Sequence, residues 1–188
     1  MATVTAPPSF AERIQWNERV KPALIVLVIA AVAYFVGANM VAPRTAAQQP
    51  NFVPEAFATL PAGAVLVMNA DGSAALLPVR VAATSAARDL GMRGVGAQAL
   101  ENSFLLYPLA RETTARVSYN VEGAKAPIEF AAIDASGAVV SITTSAPSAT
   151  RVSIPERHQW VITAKAGTLE RFGVGVGSTI DPESILRF

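Results

Sequence analysis

The chain has 188 residues and no cysteine, with 15 basic and 14 acidic side chains and a net charge of +1. Disulfides, thiolate metal sites and cysteine nucleophiles are therefore excluded, although a cysteine-free domain is compatible with an oxidising compartment. After Pro61 eleven basic residues stand against eleven acidic ones, a balance that gives no electrostatic footing for nucleic acid.

In chain order, residues 1–21 read as a head. Pro7-Pro8 leads into Ser9-Phe10-Ala11-Glu12, whose spacing is that of a capping box, and a short amphipathic helix is expected from Phe10 to about Val20. Residues 22–42 contain no charged side chain. At about 1.5 Å per residue they reach roughly 30 Å as a helix, the thickness of a bilayer's hydrocarbon core. The sequence thus predicts a single N-terminal transmembrane helix. Trp16, Lys21, Pro22, Tyr34 and Phe35 are its expected interfacial anchors, and Gly37 is a place where another helix can approach closely. Arg13, Arg19 and Lys21 precede the run and only Arg44 closely follows it. The positive-inside rule then keeps the N-terminus in the cytoplasm and sends the rest to the periplasm of a bacterial inner membrane. Thr45-Ala46-Ala47 resembles a processing site, but the apolar run exceeds a signal core of about 7–15 residues, so a retained anchor is expected.

Residues 43–61 carry four prolines and read as a semi-extended linker, with Phe52, Val53 and Phe57 more apolar than a free tether requires. From 62 to 188 the pattern becomes short and strand-like. Ala64–Met68 and Ala75–Ala82 flank the turn Asn69-Ala70-Asp71-Gly72, and Pro78 argues for an edge strand. Thr84 or Ser85 caps a short helix that stops near Gly91. Further strands are expected at 104–107, 114–121 and 159–164. The clearest hairpin runs from Ile128 through Asp134-Ala135-Ser136-Gly137 to Thr143, and a helical turn is expected at 168–172. The predicted class is α+β, mainly β: a small β-barrel-like periplasmic domain with one or two short helices.

No catalytic constellation emerges. His158 is the only histidine, so a metal site would have only carboxylates around it and a triad has no visible acid partner. Gly173-Val174-Gly175-Val176-Gly177-Ser178-Thr179 lacks the lysine of a phosphate loop and reads as a turn into the last strand; Gly91-Met92-Arg93-Gly94-Val95-Gly96 fails likewise. Glu129 and Asp134 take opposite faces of one strand by parity. Aromatic residues are too sparse for a base-stacking surface. No catalytic residue, metal or cofactor is expected.

Three segments carry a family resemblance. Val81-Ala82-Ala83-Thr84 with Arg88 and Gly91-Met92-Arg93 is similar to a helix-opening motif. The run Pro127 to Val140 resembles a central hairpin, and Trp160-Val161-Ile162, Ala166-Gly167 and Phe172 to Gly177 resemble a closing segment. Together they resemble the domain of unknown function 192 family, a small β-rich, barrel-like domain of bacteria and archaea that is often exported. The resemblance implies a fold and an address rather than a reaction. Where that family usually carries Trp-Met-Lys-Asn-Thr, this chain has Asn120-Val121-Glu122-Gly123-Ala124, and Glu129 replaces the usual aspartate. The departure implies a domain recruited as a structural part.

The expected function is that of a non-catalytic, single-span accessory subunit of a multi-subunit membrane complex, contacting other membrane subunits and the lipid bilayer. Respiratory or photosynthetic complexes are hosts by analogy. The alternative is a membrane-anchored periplasmic module binding a polysaccharide or small acidic metabolite. Tyr119, Glu129 and Trp160 are the residues expected at a ligand or partner surface, with Arg116, Arg151 and Arg157 beside them.

Overall fold

A computed structural model describes residues 49–113 and 116–181. The chain divides into two compact units, residues 1–43 and 44–188, and the described residues all belong to the second. The head helix, the span and the anchors Trp16, Lys21, Pro22, Tyr34, Phe35 and Gly37 lie outside the described residues. Among those described, no helix is long and apolar enough to cross a membrane.

The linker contributes structure of its own. Glu55–Ala58 forms a one-turn helix, α1, after Pro54, and Phe57 is buried. Pro54 suits the start of a helix because its missing N–H would have no partner there. Upstream, the Pro50 carbonyl accepts from the Gln98 and Ala99 N–H groups at 2.9 and 3.1 Å, and the Gly96 N–H donates to the Phe52 carbonyl at 2.7 Å. Residues from 50 onward therefore belong to the domain, held by these backbone bonds and by the burial of Phe57.

β1 (Ala62–Met68) and β2 (Ala74–Val81) form the expected hairpin. Thr84 caps α2 (Ser85–Leu90), its side chain accepting from the Ala87 N–H at 3.2 Å. A 3-10 turn at Ala99–Asn102 leads into β3 (Phe104–Pro108), followed by β4 (Val117–Asn120), β5 (Ile128–Ile133) and β6 (Val139–Thr144). β7 (Arg151–Ile154), β8 (Trp160–Lys165), the turn-length helix α3 (Thr168–Arg171) and the two-residue β9 (Thr179–Ile180) complete the elements of the described residues.

Seven strands form one sheet in the order β6-β5-β8-β3-β2-β1-β9, and β4 and β7 form a separate pair. The sheet curls so that its two ends meet: Val139 donates to the Ser178 carbonyl at 2.8 Å and Ile180 to that of Gly137 at 2.7 Å. Among the described residues these bonds amount to a single isolated bridge, Ala138 to Thr179, and not to a paired ladder. The barrel-like expectation thus resolves into a curled sheet without a closing ladder. The mainly β, α+β class stands.

Two apolar cores lie on opposite faces of this sheet. The inner one gathers residues such as Val65, Leu77, Phe104, Ile133, Trp160, Ile162 and Leu169. The outer one packs Leu105, Tyr107, Ile128, Phe130 and Val161 under α1, α2, β4 and β7. β5 and nearly all of β3 and β8 are consequently buried on both faces, and they read in sequence as mainly apolar runs, interrupted by Glu129 in β5 and Thr163 in β8, rather than as alternation.

Pro78 does not mark a sheet edge, since β2 lies between β1 and β3. The reason it is tolerated is local. Val81 donates toward β1, to Pro61, and Ala82 toward β3, to Leu106, so by alternation the nitrogen of residue 78 faces the β3 side. The β2–β3 ladder begins only at Val79 and Phe104, leaving no bond for Pro78 to lose.

The β5–β6 turn is held by Asp134, whose Oδ1 accepts from the Ser136 N–H at 2.9 Å, the Ser136 hydroxyl at 2.6 Å and the Ala138 N–H at 2.9 Å. Burial opposes its ionisation, but these bonds outweigh it and hold the carboxyl below the ordinary aspartate range. Asp134→Ala is expected to cost about 1–2 kcal/mol in chemical denaturation at neutral pH. A depressed folded pKa contributes stability above the unfolded value, which is lost as pH falls through the folded one. The gap between wild type and Asp134→Ala should therefore narrow below about pH 4.

Candidate functional site

The three side chains expected at a ligand or partner surface all lie in the interior: Tyr119 is 3% exposed, Glu129 5% and Trp160 6%. Nor do they converge. Tyr119 belongs to the outer core and Trp160 to the inner one. Arg116, Arg151 and Arg157 are exposed. Arg151 binds Ser118 at 3.1 Å and Arg157 pairs with Glu112 at 2.9 Å, so neither turns toward the buried tyrosine.

The polar chemistry inside the domain has two centres. In the first, His158 is fully buried. Its Nδ1 lies 2.7 Å from the Glu156 carbonyl and its Nε2 lies 2.8 Å from the Tyr119 hydroxyl. A carbonyl only accepts, which places the ring proton on Nδ1 and makes Nε2 the acceptor of the Tyr119 O–H. Tyr119 also stands edge-on to Tyr107 at 5.1 Å and lies 5.7 Å from the Phe130 ring. Burial raises the pKa of both tyrosines well above the usual phenol range. The result is a buried hydrogen-bonded network that ties β4 to the loop leading into β8. Tyr119→Phe would leave a buried nitrogen without its donor, at an expected cost of about 1–3 kcal/mol in urea denaturation.

In the second centre, β5 carries Glu129 to the end of the inner core. Its carboxylate accepts from the Gly167 N–H at 3.0 Å and the Leu169 N–H at 2.5 Å. Those two groups open α3, where Gly167 takes φ +80°. Glu129 therefore supplies a remote cap to a helix too short to hold itself. This role is invisible locally, because 38 residues separate Glu129 from Gly167.

Residues 121–124 with Ala126 form one wall of an open groove of about 200 Å³ whose other wall is the loop 145–150. Asn120 donates to the Asp89 carbonyl at 2.8 Å, and Glu122 pairs with Arg93 at 3.1 Å across an exposed surface. Among the described residues no three His, Asp or Glu side chains are grouped to hold a metal ion.

With the curled sheet and this hairpin in view, the chain is placed by comparison. Residues 66–182 match the model of the domain of unknown function 192 family, described as an uncharacterized ACR. This covers more than half of the chain, and the protein belongs to that family. A crystal structure from Sinorhizobium meliloti 1021, described as a candidate transcription regulator, is 21% identical with a TM-score of 0.57 over 65% of this chain and 94% of its own. Another, a protein of unknown function from Novosphingobium aromaticivorans, is 15% identical with a TM-score of 0.55 over 65% of this chain and 86% of its own. At those identities the likeness concerns the fold. No curated protein matches the chain.

Proposed function

We propose that the protein is a non-catalytic, single-span accessory subunit of a multi-subunit membrane complex in a bacterial inner membrane. Its N-terminus is cytoplasmic and its family domain periplasmic. Residues 22–42 are the anchor in this reading, and the head and domain contact neighbouring subunits. The replaced segment at 120–124, and a Glu129 engaged as a helix cap, accord with a family member kept for structure.

The observation that carries the proposal is the outer face of the β1–β2 hairpin. Alternation puts Val65, Val67, Leu77 and Val79 into the core, leaving Ala64, Leu66, Met68, Ala74, Leu76 and Pro78 on the opposite side. These pair across the strands as Ala64 with Pro78, Leu66 with Leu76 and Met68 with Ala74. Leu76 is 63% exposed and Met68 41%. An ordinary solvated hairpin carries polar residues there; a continuous uncharged stripe is the surface of a protein contact.

Leu76→Glu and Met68→Glu alter exposed positions and are expected to change stability by no more than about 0.5 kcal/mol. Tagged and purified in mild detergent, both variants should lose partners that wild type retains. Unchanged co-purification would remove the hairpin from the interface.

A further inference from the structure

The structure assigns a binding site for a small monocarboxylate with an apolar aryl or alkyl body to the wedge between β2 and β3, outside the inner core. This goes beyond the role of accessory subunit and does not rest on it.

The wedge has a topological cause. β2 and β3 run parallel but pair only over residues 79–81 and 104–106. N-terminal to that ladder β2 continues alongside β1, whereas the chain before Phe104 departs as the 3-10 turn at Ala99–Asn102. Pro78, with no N–H to satisfy on that side, lets the gap persist. α1 and the segment before it close one flank. What remains is a cavity of about 310 Å³ lined by Val53, Phe57, Pro78, Phe104, Asn102 and Arg80, among others. That size reaches the lower end of small-molecule sites, about 300–1,000 Å³.

Its charge points to the ligand. Arg80 is half-buried and donates Nη1 to the Leu60 carbonyl at 2.9 Å, which fixes the guanidinium against the β1 side. Among the described residues it has no carboxylate partner, and no Asp or Glu lines the cavity. A guanidinium has five N–H donors in a fork that matches a carboxylate, and here one bond to a carbonyl leaves the rest of the fork available. Val53, Phe57 and the Pro78 ring supply apolar walls, while the Asn102 amide offers a further polar contact. A single fixed cation within mostly apolar walls suits one negative charge on an apolar body. It does not suit a polyanion or a sugar.

The test is isothermal titration of the full chain in lipid nanodiscs, with empty discs as the blank. The probes are 3-phenylpropanoate, 3-phenylpropan-1-ol and 3-phenylpropylammonium, which share one body and differ in charge. Expected are saturable one-to-one binding of the acid, weaker binding of the alcohol by about tenfold or more, and none of the amine. Arg80→Gln should abolish the preference for acid over alcohol and Arg80→Lys should keep part of it. Val53→Glu, at a position already 41% exposed, should weaken the acid without unfolding the domain, as thermal melts will show. Absence of saturable acid binding, equal affinity for acid and alcohol, or an Arg80→Gln variant with wild-type preference would overturn the assignment.

Discussion

Glu129→Ala is expected to destabilise the domain by about 3–5 kcal/mol, because it orphans the buried Leu169 N–H at about 1–3 kcal/mol, takes the acceptor from the exposed Gly167 N–H, and leaves a void where the buried side chain stood. The donors are those of Gly167 and Leu169, and among the described residues no other side chain is bonded to either. Without the cap α3 has only its own single turn. Leu169, fully buried in the inner core, then loses the backbone that positions it. Glu129→Gln retains one acceptor oxygen but turns an amide donor toward an N–H, so about half the loss is expected. Chemical denaturation of the three proteins gives the order wild type, Gln, Ala. A Glu129→Ala midpoint equal to wild type would show that α3 is held by its apolar contacts alone. For a domain of typical stability, about 5–15 kcal/mol, the predicted loss is a large share of the whole.

Gly96→Ala should have the second largest effect, about 3 kcal/mol, from the upper range of overpacking costs. A Cβ there would collide with the Pro50 carbonyl oxygen and sit 2.6 Å from that of Gln49. Both are backbone atoms of the strap that runs beside the Gly96 turn, so no side chain can swing aside. Relief requires the strap to leave, breaking the bonds from Gly96, Gln98 and Ala99 to it. The substitution should therefore lower the denaturation midpoint and open residues 49–54 to protease. A variant with wild-type protease resistance would mean that the turn shifts as a unit with the strap attached.

The buried tyrosines add a pH dependence at the other end of the scale. Burial raises the folded pKa of Tyr107 and Tyr119 above their unfolded value. Stability from such groups is full below the unfolded pKa and falls as pH rises beyond it, here above about pH 10. Tyr119→Phe should flatten that alkaline decline relative to wild type.

How much of this was legible in the sequence follows from how local each feature is. The β1–β2 and β5–β6 hairpins were readable because Asn69-Ala70-Asp71-Gly72 and Asp134-Ala135-Ser136-Gly137 carry their own turn chemistry. α2 was readable from Thr84 and Gly91. β7 was not, since Arg151-Val152-Ser153-Ile154 gives only four residues of alternation between Pro147 and Pro155. α1 was hidden for a related reason: one turn is below what local propensity can nucleate, and Phe57 burial supplies the rest. Tyr119 and Trp160 are large aromatics with polar atoms, which suit a wet surface as well as a core, and only their partners decide. Glu129 and Arg80 depend on pairings between distant segments, α3 against β5 and β2 parallel to β3. No turn signal or periodicity encodes such pairings.

The most direct test of the accessory-subunit account is mass spectrometry of the native complex, gently solubilised from source membranes and selected by size. The account predicts that the chain appears in fixed stoichiometry with a defined set of membrane proteins, and that Leu76→Glu reduces its share. Recovery of the intact chain as a free monomer, with no stoichiometric partner, would contradict it.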